Sequence, residues 1–378
     1  MNSVIASADN PALGVIIFTL GGLAGAVFYM PFKKVTKWAW ESYWLVYALF
    51  GLLIVPWVLA FKTSPNVISV LKASPSNQLW YCYLCGAAWG VGGLTWGLMI
   101  RYLGVGLGLA IGCGLCSASG TLIPKILKGE FGQLLEPGTG IVSFVGVLMS
   151  LIGIILVGMA GMSKENELPE EEKKKTVAEF NFKKGIIVAI FSGLMSSAMN
   201  YGLQGGAAIE QLALSTQPVT SSTWRGMPVL VVVLLGGFTI NFLWCVILNL
   251  KNKTGGDYIR PEGPVLLANI VFAGLAGAIW CSQFICLKTG EPAMGKTAYI
   301  GFAVLMASAI MFSSLLGILL GEWRGTSSRT RVLLAAGLVI LVSSTVLGAY
   351  SGYISTSRST EQKTLTAAIV PESAVTVQ

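Results

Sequence analysis

Ten stretches of this chain hold no Asp, Glu, Lys or Arg, and each runs for at least 20 residues: 10–32, 42–61, 73–100, 102–124, 137–163, 185–209, 226–250, 263–287, 297–321 and 332–357. Crossing a bilayer takes about 20 apolar residues at a helical rise of 1.5 Å each. Within lipid every backbone polar group must be satisfied inside the segment, so runs of this length read as helices and not strands. The expected fold is an all-α integral membrane protein with ten transmembrane helices. Composition agrees, because only 11% of the 378 residues are charged, against about a quarter in soluble domains. The 46 glycines would weaken soluble helices, whereas in a membrane small residues let helices approach closely. No basic segment precedes the first run, and it is too long for a signal-peptide core, so it reads as a retained helix.

A net charge of +8 invites a nucleic-acid reading, but its distribution excludes one. The larger share of Lys and Arg falls in the odd-numbered loops: Lys33, Lys34, Lys37, Arg101, Lys164, Lys173 to Lys175, Lys183, Lys184, Lys251, Lys253, Arg260, Arg324, Arg329 and Arg331. The positive-inside rule then puts those loops in the cytoplasm and both termini on the periplasmic face of the inner membrane. Cys82–Cys85 and Cys113–Cys116 have C-x-x-C spacing, yet both pairs sit in apolar runs and the chain has no histidine. Small packing residues explain them better than metal or redox chemistry, so neither metal nor cofactor is expected. An embedded enzyme would need a clustered nucleophile or acid–base pair within the spans, and none is seen. Nothing in the residues selects between a monomer and a homodimer.

Residues 164–184 form a Lys/Glu-rich connector with five apolar runs on either side. The organisation read here is a first repeat over 1–163, a cytoplasmic linker over 164–184, a second repeat over 185–357, and a polar tail over 358–378 expected to be disordered. Weak echoes support the duplication. Gly14-Val15-Ile16-Ile17 with Gly22-Leu23 returns as Gly185-Ile186-Ile187-Val188 with Gly193-Leu194, and Ile126-Leu127-Lys128-Gly129-Glu130 returns as Ile318-Leu319-Leu320-Gly321-Glu322. An odd number of helices per unit inverts the second copy, and inverted repeats place a substrate site near the midplane between them.

Polar side chains inside a bilayer are costly unless they face a partner or a cavity. Trp89, Gly93 and Trp96 share one face of the third run, Asn200 and Gln204 one face of the sixth, and Trp280 and Gln283 one face of the eighth, with Asn269 three turns earlier. Tyr29 closes the first run. Indole faces beside amides suit a sugar, whose C–H face stacks while its hydroxyls exchange hydrogen bonds. The competing reading is structural: interfacial anchoring for Trp38, Trp40, Trp44 and Trp80, and helix bridging for the amides. A coupled ion needs a titratable group, and the candidates are Glu210, directly after the helix of Asn200 and Gln204, then Glu41, Glu322 and Glu130. One proton moving down about 100 mV supplies roughly 2.3 kcal/mol, or about 50-fold accumulation of a neutral solute.

Several stretches together resemble the L-rhamnose–proton symporter family of the drug/metabolite transporter superfamily. They are Phe28-Tyr29-Met30-Pro31-Phe32-Lys33-Lys34-Val35 followed by Lys37-Trp38-Ala39-Trp40-Glu41, then Trp89-Gly90-Val91-Gly92, Arg101-Tyr102-Leu103-Gly104, Gly120-Thr121-Leu122 with Pro124, Glu179-Phe180-Asn181, Trp280 with Gln283-Phe284, and Glu322-Trp323. The resemblance implies two inverted five-helix repeats, a central cavity lined mainly by helices 1, 3, 4, 6, 8 and 9, and proton-coupled uptake of L-rhamnose or a related 6-deoxyhexose by alternating access. An exporter or importer of another small metabolite, an amino acid or a different sugar, is the alternative.

Overall fold

The computed structural model describes residues 10–103, 105–167, 181–321 and 323–369, and among these there are helices and short connections but no strand. The long helices are α1 (Pro11–Val27), α2 (Trp40–Thr63), α3 (Ser76–Leu103), α4 (Val105–Leu127), α5 (Thr139–Glu167), α6 (Phe182–Gly205), α7 (Met227–Asn252), α8 (Gly263–Met294), α9 (Gly301–Leu319) and α10 (Ser328–Ile369). Among the described residues, eight segments are long and apolar enough to cross a membrane, one of them the 57 residues of Gly263–Leu319. The protein is therefore a multi-pass membrane protein.

Helix boundaries follow local chemistry. Asn10 and Asn181, each four residues before a glycine of the repeated Gly14/Gly185 motif, cap α1 and α6 by accepting from Leu13 N and Lys184 N at 3.1 and 3.0 Å. Such caps satisfy amides that a helix start leaves unpaired. Between α8 and α9 the chain turns at Gly295, whose φ of 52° and ψ of −127° suit a residue without Cβ. A widened π-type turn at Leu49–Ile54 precedes Pro56 in α2, where proline would otherwise collide with the preceding turn.

α1 lies between α8 and α9, α6 lies between α3 and α4, α5 pairs with α10, and α7 packs on α2 and α3. Close approaches are made at glycine. A Cβ on Gly86 of α3 would stand 1.8 Å from the Val233 carbonyl of α7. The connector residues 168–180 lie outside the described residues, as does Glu322. At the far end, α10 continues to Ile369, so residues 358–369 are helical where composition suggested a disordered tail. Between Gly352 and Ile369 the chain has neither Gly nor Pro, and extending an existing helix needs no new nucleus. Its polarity ends the apolar span at Ser355 without ending the helix.

Gly86→Ala is expected to destabilise the bundle by about 1–3 kcal/mol or more through overpacking. Gly132→Ala, whose Cβ would meet nothing within 4 Å, should be neutral. Thermal unfolding of the detergent-solubilised variants tests the contrast.

Candidate functional site

The interior face of α3 carries Trp89, Gly93 and Trp96, opposite the outward-facing Trp80, Leu84 and Leu98. A Cβ on Gly93 would meet nothing within 4 Å, so the bundle leaves space there. Trp89 stacks on Trp280 of α8 with centroids 5.1 Å apart and planes at 27°. Phe284 and Tyr47 pack on Trp280 at 5.0 and 6.1 Å. One turn along α8 from Trp280, Gln283 is 4% exposed and its amide makes no hydrogen bond to the described residues. Its Oε1 sits 3.0 Å from where a Cβ on Gly25 of α1 would stand.

On the far side of α6, Asn200 performs two tasks. Pro124 interrupts α4, and a proline removes the amide that would bond the carbonyl four residues earlier, here Gly120. The Asn200 Nδ2 donates to that carbonyl at 2.7 Å, standing in for the missing amide. Asn200 Oδ1 stays buried without a partner, and so do Thr121 Oγ1 and Ser117 Oγ on one face of α4. Each such orphan costs about 1–3 kcal/mol. Asn200, Gln204 and Thr121 line a cavity of about 160 Å³ together with Lys125, Lys128, Glu130, Lys296 and Tyr299. Glu130, in the connection after α4, is bound by Lys125 Nζ at 2.7 Å, and that hydrogen bond holds its carboxyl below the usual range.

Gln204 also turns toward an ion cluster. Its Nε2 donates to Glu291 Oε1 at 3.2 Å. Glu291 and Lys288 lie within α8, and Lys288 Nζ bonds the other Glu291 oxygen and Glu210 Oε1, the latter at 2.5 Å. Arg225, just before α7, reaches Glu210 Oε2 at 3.3 Å. The Lys288 and Glu291 side chains are 3% and 7% exposed, that of Glu210 13%. Two carboxylates and two basic side chains thus form one ion group of formal charge zero, buried at Lys288 and Glu291 and partly open at Arg225. Glu210 sits in a short helix, Ala207–Ser215, that continues α6 past Gly206.

The other residues selected from sequence lie elsewhere. Trp96 Nε1 donates to Ser196 Oγ at 2.7 Å. Both polar groups of Asn269 are committed to the Thr36 backbone, at 3.0 and 2.7 Å, so it latches the loop after α1. Glu41 accepts from Asn252 Nδ2 and Thr254 Oγ1, each at 2.9 Å, far from the ion cluster in the chain and on the opposite end of α7 from Arg225. Tyr29 is 56% exposed and connects to Trp280 through Trp44 and Tyr47, at centroid steps of 6.4, 4.6 and 6.1 Å. Glu322 is outside the described residues.

Trp44 and Trp38 also make contacts between elements. Trp44 Nε1 donates to Asn241 Oδ1 at 2.9 Å and Trp38 Nε1 to the Asp257 carbonyl at 2.7 Å, so both tie α2 and its approach to the α7–α8 half. Sequence reasoning also missed Lys288 and Glu291, because the charge-free run ends at Leu287 and the residues after it read as a loop. The available signal was spacing. The two are i, i+3, and the gap to the next apolar run is only residues 288–296, little room for a loop once helix is extended through it.

A family model described as L-rhamnose-proton symport protein matches residues 8–352 of the chain. Relatives named L-rhamnose-proton symporter include those of Yersinia pestis (strain Pestoides F) and Yersinia pseudotuberculosis serotype O:1b (strain IP 31758). Each is 32% identical over 340 residues, covering 89% of this chain and 97% of the relative. The protein of that name from Yersinia pestis bv. Antiqua (strain Antiqua) is 31% identical over 339 residues, with the same coverage.

Removing one member of a buried ion group leaves an uncompensated charge, at a cost of about 3–5 kcal/mol. Lys288→Met should therefore lower the unfolding temperature sharply, and adding Glu291→Met should restore most of the loss. Thermal unfolding of the single and double variants measures this.

Proposed function

The chain belongs to the L-rhamnose-proton symport protein family, and we propose that it carries L-rhamnose or a closely related 6-deoxyhexose into the cell together with a proton. The observation that carries this reading is the set of buried polar atoms lacking partners on facing helices, Asn200 Oδ1 of α6 with Thr121 Oγ1 and Ser117 Oγ of α4, of which Asn200 and Thr121 line the cavity, while α3 and α8 contribute the stacked Trp89 and Trp280 indoles. A polyhydroxylated ring supplies hydroxyls that satisfy such groups, and its C–H face packs on aromatic surface. Trp89, Trp280, Asn200, Gln204 and Gln283 are the proposed sugar contacts. Trp96 acts from behind through Ser196, Tyr29 lies on the aromatic path that leads inward, and Asn269 holds the loop at Thr36. The family is one of symporters, so no catalytic residue is assigned.

The same reading takes the chain through an inner membrane ten times. At 1.5 Å per residue a 57-residue helical segment would run roughly 86 Å, well over twice the ~30 Å hydrocarbon core, and the turn at Gly295 divides it into two crossings. The 23 residues of α4 supply another. Two inverted repeats of five helices are supported by matched packing. Gly14 meets Met294 of α8 while Gly185 meets Tyr102 and Leu103 of α3, and Gly22 meets Leu305 and Ser308 of α9 while Gly193 meets Gly112 and Leu115 of α4. Exchanging the halves converts each contact into its counterpart. Rocking of such repeats about a shared site gives alternating access. Odd-numbered loops face the cytoplasm and both termini the periplasm, which puts the cavity near Asn200 and the ion cluster toward the outer side. The coupled proton is assigned to that cluster, which includes Glu210.

Proteoliposomes given an inward proton gradient should accumulate labelled L-rhamnose, and a protonophore should abolish the accumulation. Gradient-independent equilibration would contradict coupling, and no rhamnose flux in an active preparation would contradict the substrate.

A further inference from the structure

We propose that Glu291, and not Glu210, carries the coupled proton, and that Gln204 is the side chain through which its protonation is felt in the sugar cavity. The proposal rests on the proton-coupled uptake put forward above and names the residues that perform the coupling.

The two carboxylates differ in what surrounds them. Glu210 has a cation on each oxygen, Lys288 at 2.5 Å and Arg225 at 3.3 Å. Protonating it would forfeit two charge-assisted contacts. Glu291 shares one cation, Lys288, and its other oxygen accepts only from the neutral Gln204 amide at 3.2 Å. When Glu291 takes a proton, Lys288 keeps Glu210 as a full partner, so no cation is stranded. The groups facing the cluster are otherwise Cys82, Cys85 and Tyr81 of α3, with the Cys82 thiol donating to the Gly202 carbonyl at 3.3 Å. None of them is a cation, and Arg225, which bonds Glu210, acts on Glu291 through space without bonding it. α1, which packs on this end of α8 through Gly14, carries no titratable side chain.

The step balances simply. A proton from the outer water adds to Glu291 Oε1, the oxygen that accepts from Gln204 and not from Lys288, and the formal charge of the cluster changes from zero to +1. Hydrogen bonds to an ionised acceptor are roughly twice as strong as neutral ones, so protonation loosens the hold of Glu291 on Gln204. The Gln204 amide, which lines the cavity with Asn200 and Thr121, is then free for a sugar hydroxyl. Linkage makes the effect reciprocal: sugar on Gln204 raises the proton affinity of Glu291. After reorientation the proton leaves to the inner water, Glu291 reclaims Gln204, and the sugar is released.

The test compares Glu291→Gln with Glu210→Gln in proteoliposomes. At about 100 mV, roughly 50-fold accumulation is available to the wild type. E291Q should fall to a ratio near one while sugar exchange across equal pH continues with its pH dependence flattened. E210Q should still accumulate, to a smaller ratio. A purely structural role for Glu291 would not move the second readout, the protonated-carboxyl band in pH-difference infrared spectra, which E291Q should remove and E210Q should keep. Should E291Q show no exchange, Lys288→Met with Glu291→Met takes its place with the same expectations. Wild-type accumulation by either Glu291 variant, or a carboxyl band that survives in E291Q or vanishes in E210Q, overturns the assignment. Should the wild type carry no rhamnose, the substrate reading fails, and the infrared band still decides where the proton sits.

Discussion

One buried lysine holds together the ion group on which this bundle closes. Lys288, 3% exposed within α8, stands between Glu210 on the continuation of α6 and Glu291 on its own helix, while Arg225 at the entry to α7 completes the group. Burying a charge is tolerable only when it is paired and hydrogen-bonded, so these elements are held in register by the requirement that no charge be left alone. Pro292 comes directly after Glu291, and the turn at Gly295 comes three residues later. The cluster therefore lies at the C-terminal end of α8, just before the chain turns into α9.

From this point the polar groups descend into the bundle in steps set by helix pitch. Gln204 touches Glu291 and borders the cavity. Asn200, one turn deeper on α6, repairs the carbonyl that Pro124 leaves free and keeps its own oxygen unpartnered. Gln283 and then Trp280 lie one and two turns below Lys288 on α8, and Trp89 closes the stack from α3. A ligand in the cavity would meet α4, α6 and the connection between α8 and α9, and through Gln204 it would adjoin the charge cluster as well. In the proposed mechanism that short path, one amide long, lets a binding event and a titration share free energy.

Much of the fold was legible in the sequence, because apolar runs bounded by charge report the crossing of lipid directly. The shared faces of Trp89/Trp96, Asn200/Gln204 and Trp280/Gln283 were also legible, since helical spacing fixes which side chains align. What escaped were features that depend on partners distant in the chain. The spacing that singled out Asn269 gives no hint of its partner Thr36, and nothing local to Trp44 points to Asn241. Lys288 and Glu291 escaped for a different reason. A rule that ends each helix at the first charge cannot see an ion pair that completes a helix. The polar stretch after Gly352 misled in the same way, with composition taken for conformation.

The central claim is that sugar binding and protonation are linked through Gln204 and Glu291, and the most direct measurement is of protons, in the absence of any gradient. Purified protein in weakly buffered detergent solution is mixed with L-rhamnose, and the change in bulk pH is recorded against binding. The account predicts uptake of about one proton per sugar bound at pH values where Glu291 starts ionised, in line with the reciprocity of linkage. Saturable sugar binding with no proton taken up would contradict it.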